Sequence, residues 1–220
     1  MGRGGAGRAG AGWYLRASSL GCWLGGCAWA QSGIEVTGLV VAVMNRKGGS
    51  GKTTTAFYLS MCAAREGREV VLVDADNEHG ALAWAHLAEG LPFEVVLAEE
   101  DNLPSQVMEL REAGKTVFVD GPPNNKEYVL SAAPIADRVL IPMTPEPADL
   151  NRLIPILKQL RNVEISLKRD VDVRVLLLKF SERTVLGREA MAGLQELGVP
   201  VLSATIRDLQ RYKREFLKVP

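Results

Sequence analysis

Two lysines, three glycines and three threonines crowd into one stretch, Lys47-Gly48-Gly49-Ser50-Gly51-Lys52-Thr53-Thr54-Thr55. Residues without a Cβ let several backbone N–H groups converge on an anion, and a helix starting at the loop's end adds its positive dipole end. The chemistry such a loop supports is phosphate binding. In that reading Lys52 neutralises the β and γ phosphates and the Thr53 hydroxyl ligates Mg²⁺, while Thr54 and the amides of Gly48, Gly49, Ser50 and Gly51 complete the cradle. The general phosphate-loop pattern has a glycine five positions before Gly51; here Arg46 stands there, and a lysine, Lys47, directly precedes the paired glycines. Carboxylates follow farther along, in Asp74-Ala75-Asp76 and in Asp120-Gly121-Pro122-Pro123.

Each of these groups sits at the end of an apolar run. Leu39 to Met44 empties into the glycine loop, Glu69 to Val73 into Asp74, and Thr116 to Val119 into Asp120. Continuous apolar runs of this length read as strands buried on both faces of a parallel sheet. Between the first two, Ala56 to Glu66 has helical apolar spacing, with Gly67 as its stop. The unit is β-α-β, so its crossover is right-handed and a ligand belongs at the C-terminal ends of the strands. Residues two apart on a strand face the same way, so one of Asp74 and Asp76 could serve a metal shell while the other orients water. Both could equally cap the helix expected over residues 80 to 89. The chain then alternates: strand 93–98, helix 103–113, helix 127–136, strand 137–143, a proline-stiffened turn at 144–150 opening a helix to about Asn162, strand 171–180, helix 182–197 and strand 200–206. That order predicts a doubly wound α/β domain, a mostly parallel sheet with helices on both faces.

Lys47-Gly48-Gly49-x-Gly51-Lys52-Thr53, Asp74-x-Asp76 and Asp120-x-Pro122-Pro123, in that order, resemble the ParA/MinD family of deviant Walker A ATPases, most of all the small plasmid and chromosome partition ATPases. The resemblance covers about residues 38 to 218. It implies bound ATP and Mg²⁺, with Thr53, Asp74 and Asp120 on the metal side. It also implies that Asp76 positions the attacking water and that Lys47 reaches across a nucleotide-sandwich homodimer to the partner's phosphates. The expected partners are non-specific DNA and a centromere-binding ParB-like protein that stimulates a slow ATPase, in the cytoplasm on the nucleoid. Where the family usually continues with Pro-Gln-Gly after the second aspartate, this chain has Asn77-Glu78-His79-Gly80, which changes the loop but leaves the aspartates intact. His79 reads as a solvated loop residue and His86 as a surface helix residue; Trp84 reads as a packing anchor.

The formal charge is zero over 220 residues, yet residues 151–220 hold 14 Lys plus Arg against 8 Asp plus Glu. A basic C-terminal third suits a polyanion, although a solvated helical face accounts for it as well. The candidate DNA contacts are Arg183, Arg188, Arg207, Arg211, Lys213 and Arg214, the last four on an amphipathic basic ending whose apolar groups are Leu209, Tyr212, Phe216 and Leu217. Such an ending can dock on its own core, lie on a membrane or present cations to phosphates. Stable membrane association is not expected, because the membrane-targeting helix with which MinD-type relatives end beyond the globular fold has no counterpart up to Pro220, and no run reaches the roughly 18 apolar residues of a span. Cys22, Cys27 and Cys62 form no disulfide framework and no metal or iron–sulfur spacing, and Cys62 is expected in the core. Residues 1–36 are unlike the remainder. They fit a non-native extension, a disordered tail or a secretory signal, the last of which conflicts with a cytosolic nucleotide, and a native start near Val36 is expected. Residues 37–220 read as one ATPase domain. An amidating synthetase of the same superfamily and a cargo- or division-positioning ATPase are the competing functions.

Overall fold

The structure is a computed structural model that describes residues 38–98 and 102–206. Seven strands form one sheet in the order β3-β2-β4-β1-β5-β6-β7, every neighbouring pair parallel. The strands are β1 (Val40–Val43), β2 (Val70–Asp74), β3 (Glu94–Leu97), β4 (Thr116–Asp120), β5 (Arg138–Met143), β6 (Asp172–Leu178) and β7 (Val201–Ile206). The helices between them are α1 (Lys52–Arg65), α2 (Gly80–Leu87), α3 (Leu103–Glu112), α4 (Lys126–Ala132), α5 (Pro147–Leu167) and α6 (Val185–Glu196).

The apolar runs are buried on both sides because the strand period of two sends alternate residues to different helix layers. Val40 and Ala42 of β1 join the cluster built with Val107 of α3, Val129 of α4, Leu153, Ile156 and Leu160 of α5, and Leu194 of α6. Val41 and Val43 face the other way, with Phe118 of β4 and with Ala56, Phe57 and Leu59 of α1. Trp84 of α2 anchors this second layer as expected, edge-on to Phe57 with ring centroids 5.5 Å apart, and Phe93 meets the same ring at 5.2 Å.

Several boundaries move. The helix expected to end near Asn162 continues to Leu167, with Val163 carrying the buried face of Leu153, Ile156 and Leu160 past that point, and it holds Pro155 within it. The helix expected over 127–136 starts one residue earlier and ends at Ala132. Cys62 lies on α1 but is only half-buried, not a core residue. His86 is exposed, and Gly67 ends α1 with φ +86°. Among the described residues no helix is long and apolar enough to cross a membrane. The extension at residues 1–36 and the basic ending with Arg207, Arg211, Lys213 and Arg214 lie outside the described residues.

The chain leaves β1 toward β2 on one side and later returns to place β5 on the other, so β1 sits at the topological switch of the sheet. Its C-terminal end, with those of β2 and β4 beside it, is where the chemistry-bearing residues collect.

Candidate functional site

β1 delivers the glycine loop. Asn45 is buried and ties the loop's start to β5, its amide donating to the Pro142 carbonyl at 2.6 Å while its side-chain oxygen accepts from the Lys47 amide at 3.0 Å. Gly51 is the N-cap of α1 at φ +85°, where a Cβ would also strike the Leu178 side chain of β6. The left-handed conformation therefore favours glycine here, and a side chain would also have to displace Leu178. Lys52, the first residue of α1, is 5% exposed, and its ammonium lies 3.4 Å from the Lys47 carbonyl, turned back over the loop. Burial lowers its pKa, with Asp120, Asp76 and Glu78 opposing that effect. The Ser50 and Thr55 hydroxyls are buried without a hydrogen-bond partner.

β2 and β4 deliver the carboxylates. Asp74 and Asp120 are paired in register at the ends of adjacent strands, and Val43 of β1 is paired with Asp120 on the other side. The two aspartates are held differently. Asp74 accepts from the backbone amides of Asp76 at 3.2 Å and Leu82 at 3.0 Å, so its carboxylate caps the first turn of α2 from within the sheet. Asp76, half-buried, accepts from the Glu78 amide at 3.2 Å. The loop Asn77-Glu78-His79 then turns back, with His79 exposed at φ +50° as the N-cap of α2, and Gly80 comes against Thr53, its Cα so placed that a Cβ would lie 3.5 Å from Thr53 Cγ2.

Asp120 is fully buried, and neither carboxylate oxygen makes a hydrogen bond of acceptable geometry. Burial pushes its pKa up to about 7; the nearby Thr53 hydroxyl and the Lys52 charge hold it down in part, while Asp74 and Asp76 raise it further. A bare, buried carboxylate beside a lysine and hydroxyls fits a hard cation that brings phosphate oxygens and water as its other ligands. Among the described residues there is no group of three or more His, Cys, Asp and Glu side chains that could hold a metal without such help.

Lys47 is held by α5 rather than by these carboxylates. Its ammonium makes ion pairs with Glu146 at 2.8 Å and with Asp149 at 3.1 Å, and the hydrogen bond to Glu146 is the largest cause of its raised pKa. Asp149 is buried on α5 and also accepts from the Thr144 hydroxyl at 2.6 Å. An open groove of about 620 Å³ runs along this face, lined by Arg46, Lys47, Gly48, Asn124, Asn151, Arg152 and Pro155. By resemblance residues 144–150 line the nucleotide and dimer side, and as a bare sequence they start a stiff helix; neither reading picks out Glu146 and Asp149 as the partners of Lys47. Of the candidate DNA contacts, Arg183 and Arg188 are exposed at the start of α6, and Arg188 donates to the Glu182 and Arg183 carbonyls.

A strand, glycine loop and helix at the switch point of a parallel sheet, with strand-end aspartates opposite, define the P-loop nucleotide-binding fold. Residues 41–218 match the CobQ/CobB/MinD/ParA nucleotide binding domain, and the chain belongs to that family. It is 39% identical over 185 residues to the maintenance of carboxysome distribution protein A of Gloeobacter kilaueensis, covering 81% of either chain. It is 28% identical to the chromosome-partitioning ATPase Soj of Thermus thermophilus, over 70% of this chain and 75% of that one. In fold it is similar to a Cyanothece McdA variant in complex with ATP, with a TM-score of 0.68 at 16% identity over 83% of this chain and 88% of that chain.

The pKa of Asp120 has a consequence for stability. At Asp120 the folded protein keeps a proton that the unfolded chain loses near pH 4, so without nucleotide the contribution of this group to stability falls as pH rises from there to about 7 and changes no further above it. The ionised, bare carboxylate costs the fold on the order of 4 kcal/mol at neutral pH. Asp120→Asn should therefore be more stable than the parent above pH 7, with the gap closing toward pH 4 in urea unfolding. A difference independent of pH would contradict the assignment.

Proposed function

We propose that this chain is an ATP-dependent switch that forms a homodimer around bound nucleotide, hydrolyses ATP slowly, and uses non-specific DNA as the surface on which it distributes a cargo. The observation that carries this reading is the division of labour between the two loop lysines. Lys52 is buried and folded back over its own loop, whereas Lys47 points away to α5 along the wall of an open groove. A lysine so placed suits a site completed by a second copy.

In the proposed site the amides of Gly48, Gly49, Ser50 and Gly51, with Lys52, Thr53 and Thr54, bind and orient the ATP phosphates. Thr53 and Asp120, with Asp74 beside them, would hold Mg²⁺, which supplies charge neutralisation at the phosphate oxygens. Asp76, on the loop that packs against Thr53, orients the attacking water. Lys47 of the second copy stabilises the charge that moves onto the transferred phosphoryl group, a role that in phosphoryl transfer contributes orders of magnitude in rate.

The first reading of the cargo is a plasmid or chromosome, carried through a centromere-binding ParB-like partner that stimulates hydrolysis, in the cytoplasm on the nucleoid. The 39% identity to a carboxysome distribution protein favours a second, in which the cargo is a protein body. Both need the same dimer and the same DNA surface.

Lys47→Ala should lose ATP turnover and ATP-dependent dimerisation together; wild-type turnover in this variant would remove the role assigned to Lys47. Asp76→Ala should still dimerise with ATP but hydrolyse none, seen as a persistent dimer by size-exclusion chromatography, and a variant that stays monomeric with ATP would contradict the water-orienting role. DNA binding should require ATP, fall steeply with added salt because counterions are released, and weaken in the Arg183→Ala, Arg188→Ala double variant. A flat salt response, or equal binding without nucleotide, would count against the DNA surface.

A further inference from the structure

Asp74 and Asp120 end neighbouring strands in register, but of the two it is Asp74 whose carboxylate is held by two backbone amides. Asp120 takes no backbone amide, and the Thr53 hydroxyl beside it does not fix its carboxylate, so the aim of that carboxylate depends chiefly on its own backbone and packing. One side chain brackets that backbone on both sides. Tyr128, buried on α4, places its hydroxyl 3.3 Å from the carbonyl of Val119, the peptide entering Asp120, and 3.3 Å from the carbonyl of Val43 at the end of β1. Its ring lies on Gly121, the residue leaving Asp120, so closely that a Cβ there would strike Tyr128 Cε1 and would come within 2.8 Å of the Val43 carbonyl oxygen.

The bracket spans two strands. The Val43 carbonyl also accepts from the Gly121 amide at 3.1 Å, so the phenol and the continuing chain share one acceptor at the point where the glycine loop departs. A phenol has one proton, which either carbonyl can take, and that makes the hydroxyl a bridge between β1 and β4. The ring's place is fixed in turn by the start of its helix, where the Asn125 side chain accepts from the Tyr128 amide at 3.0 Å.

We propose that Tyr128 is a positioning residue for Asp120: by bridging the ends of β1 and β4 and covering Gly121, it holds the peptide units on either side of Asp120 and so aims its carboxylate into the nucleotide site. The proposal rests on the reading of Asp120 as the carboxylate that serves Mg²⁺. It acts through Asp120 and predicts no contact between Tyr128 and nucleotide.

The test is the affinity of the full chain for a non-hydrolysable ATP analogue, by calorimetry, with and without Mg²⁺, in the parent, Tyr128→Phe, Asp120→Asn and the double variant. Removing the hydroxyl should cut the Mg²⁺-dependent gain in affinity by about tenfold, the scale on which outer partners tune metal ligands, and leave metal-free affinity unchanged. In the Asp120→Asn background the same removal should change nothing. A full Mg²⁺ gain in Tyr128→Phe, or an equal loss with and without metal, overturns the positioning role. A full gain in Asp120→Asn overturns the underlying reading of Asp120 instead. Should Tyr128→Phe fail to fold, para-aminophenylalanine at position 128, which keeps a donor at the same place, should retain the gain; its loss in a folded protein would overturn the proposal.

Discussion

The ends of β1, β2 and β4 bring Asp74, Asp120 and Lys52 together out of water, and much of the surrounding structure answers the cost of doing so. An isolated buried charge is expensive and is kept by pairing, by hydrogen bonds or by neutralisation. Here each of the three groups takes a different course. Asp74 takes two backbone amides, Lys52 has its pKa lowered by burial with carboxylates opposing, and Asp120 has its pKa raised toward neutrality. A triphosphate with its cation would relieve Lys52 and Asp120 at once, so the electrostatics of the fold lean toward that ligand.

Lys47 stands outside that group. Its ion pair with Glu146 is between surface side chains and contributes little in water. Its pair with Asp149 is closer to the interior, but Asp149 does not depend on it, because the Thr144 amide, the Thr144 hydroxyl and Arg152 remain within reach of the same carboxylate. Moving Lys47 therefore leaves no buried charge bare. A lysine that is held, yet held cheaply, suits a group that must wait on one chain and act on another.

The sheet and the three motifs are legible in the sequence because they are contiguous: each apolar strand is followed at once by its polar residue, and the order of the motifs along the chain is the order of β1, β2 and β4. What cannot be read lies between distant segments. Glu146 and Asp149 meet Lys47 across about a hundred residues, and nothing local marks them as its partners. Tyr128 is visible only as part of a helical pattern, since its importance comes from two carbonyls on other strands. The length of α5 is hidden because Pro155 and a scatter of charges obscure a buried stripe that runs on to Val163. The departure at Asn77-Glu78-His79 shows in the sequence, but not that a histidine sits there at positive φ, a conformation that costs a non-glycine residue.

In the proposed dimer one active site draws Asp76 from the chain that binds the nucleotide and Lys47 from the other. Mixing Lys47→Ala protein with Asp76→Ala protein tests it directly, because only a mixed dimer can assemble a site with both groups, and only if they come from different chains. The account predicts that two inactive proteins regain ATP hydrolysis on mixing. A mixture no more active than either variant alone, under conditions where mixed dimers are shown to form, would contradict it.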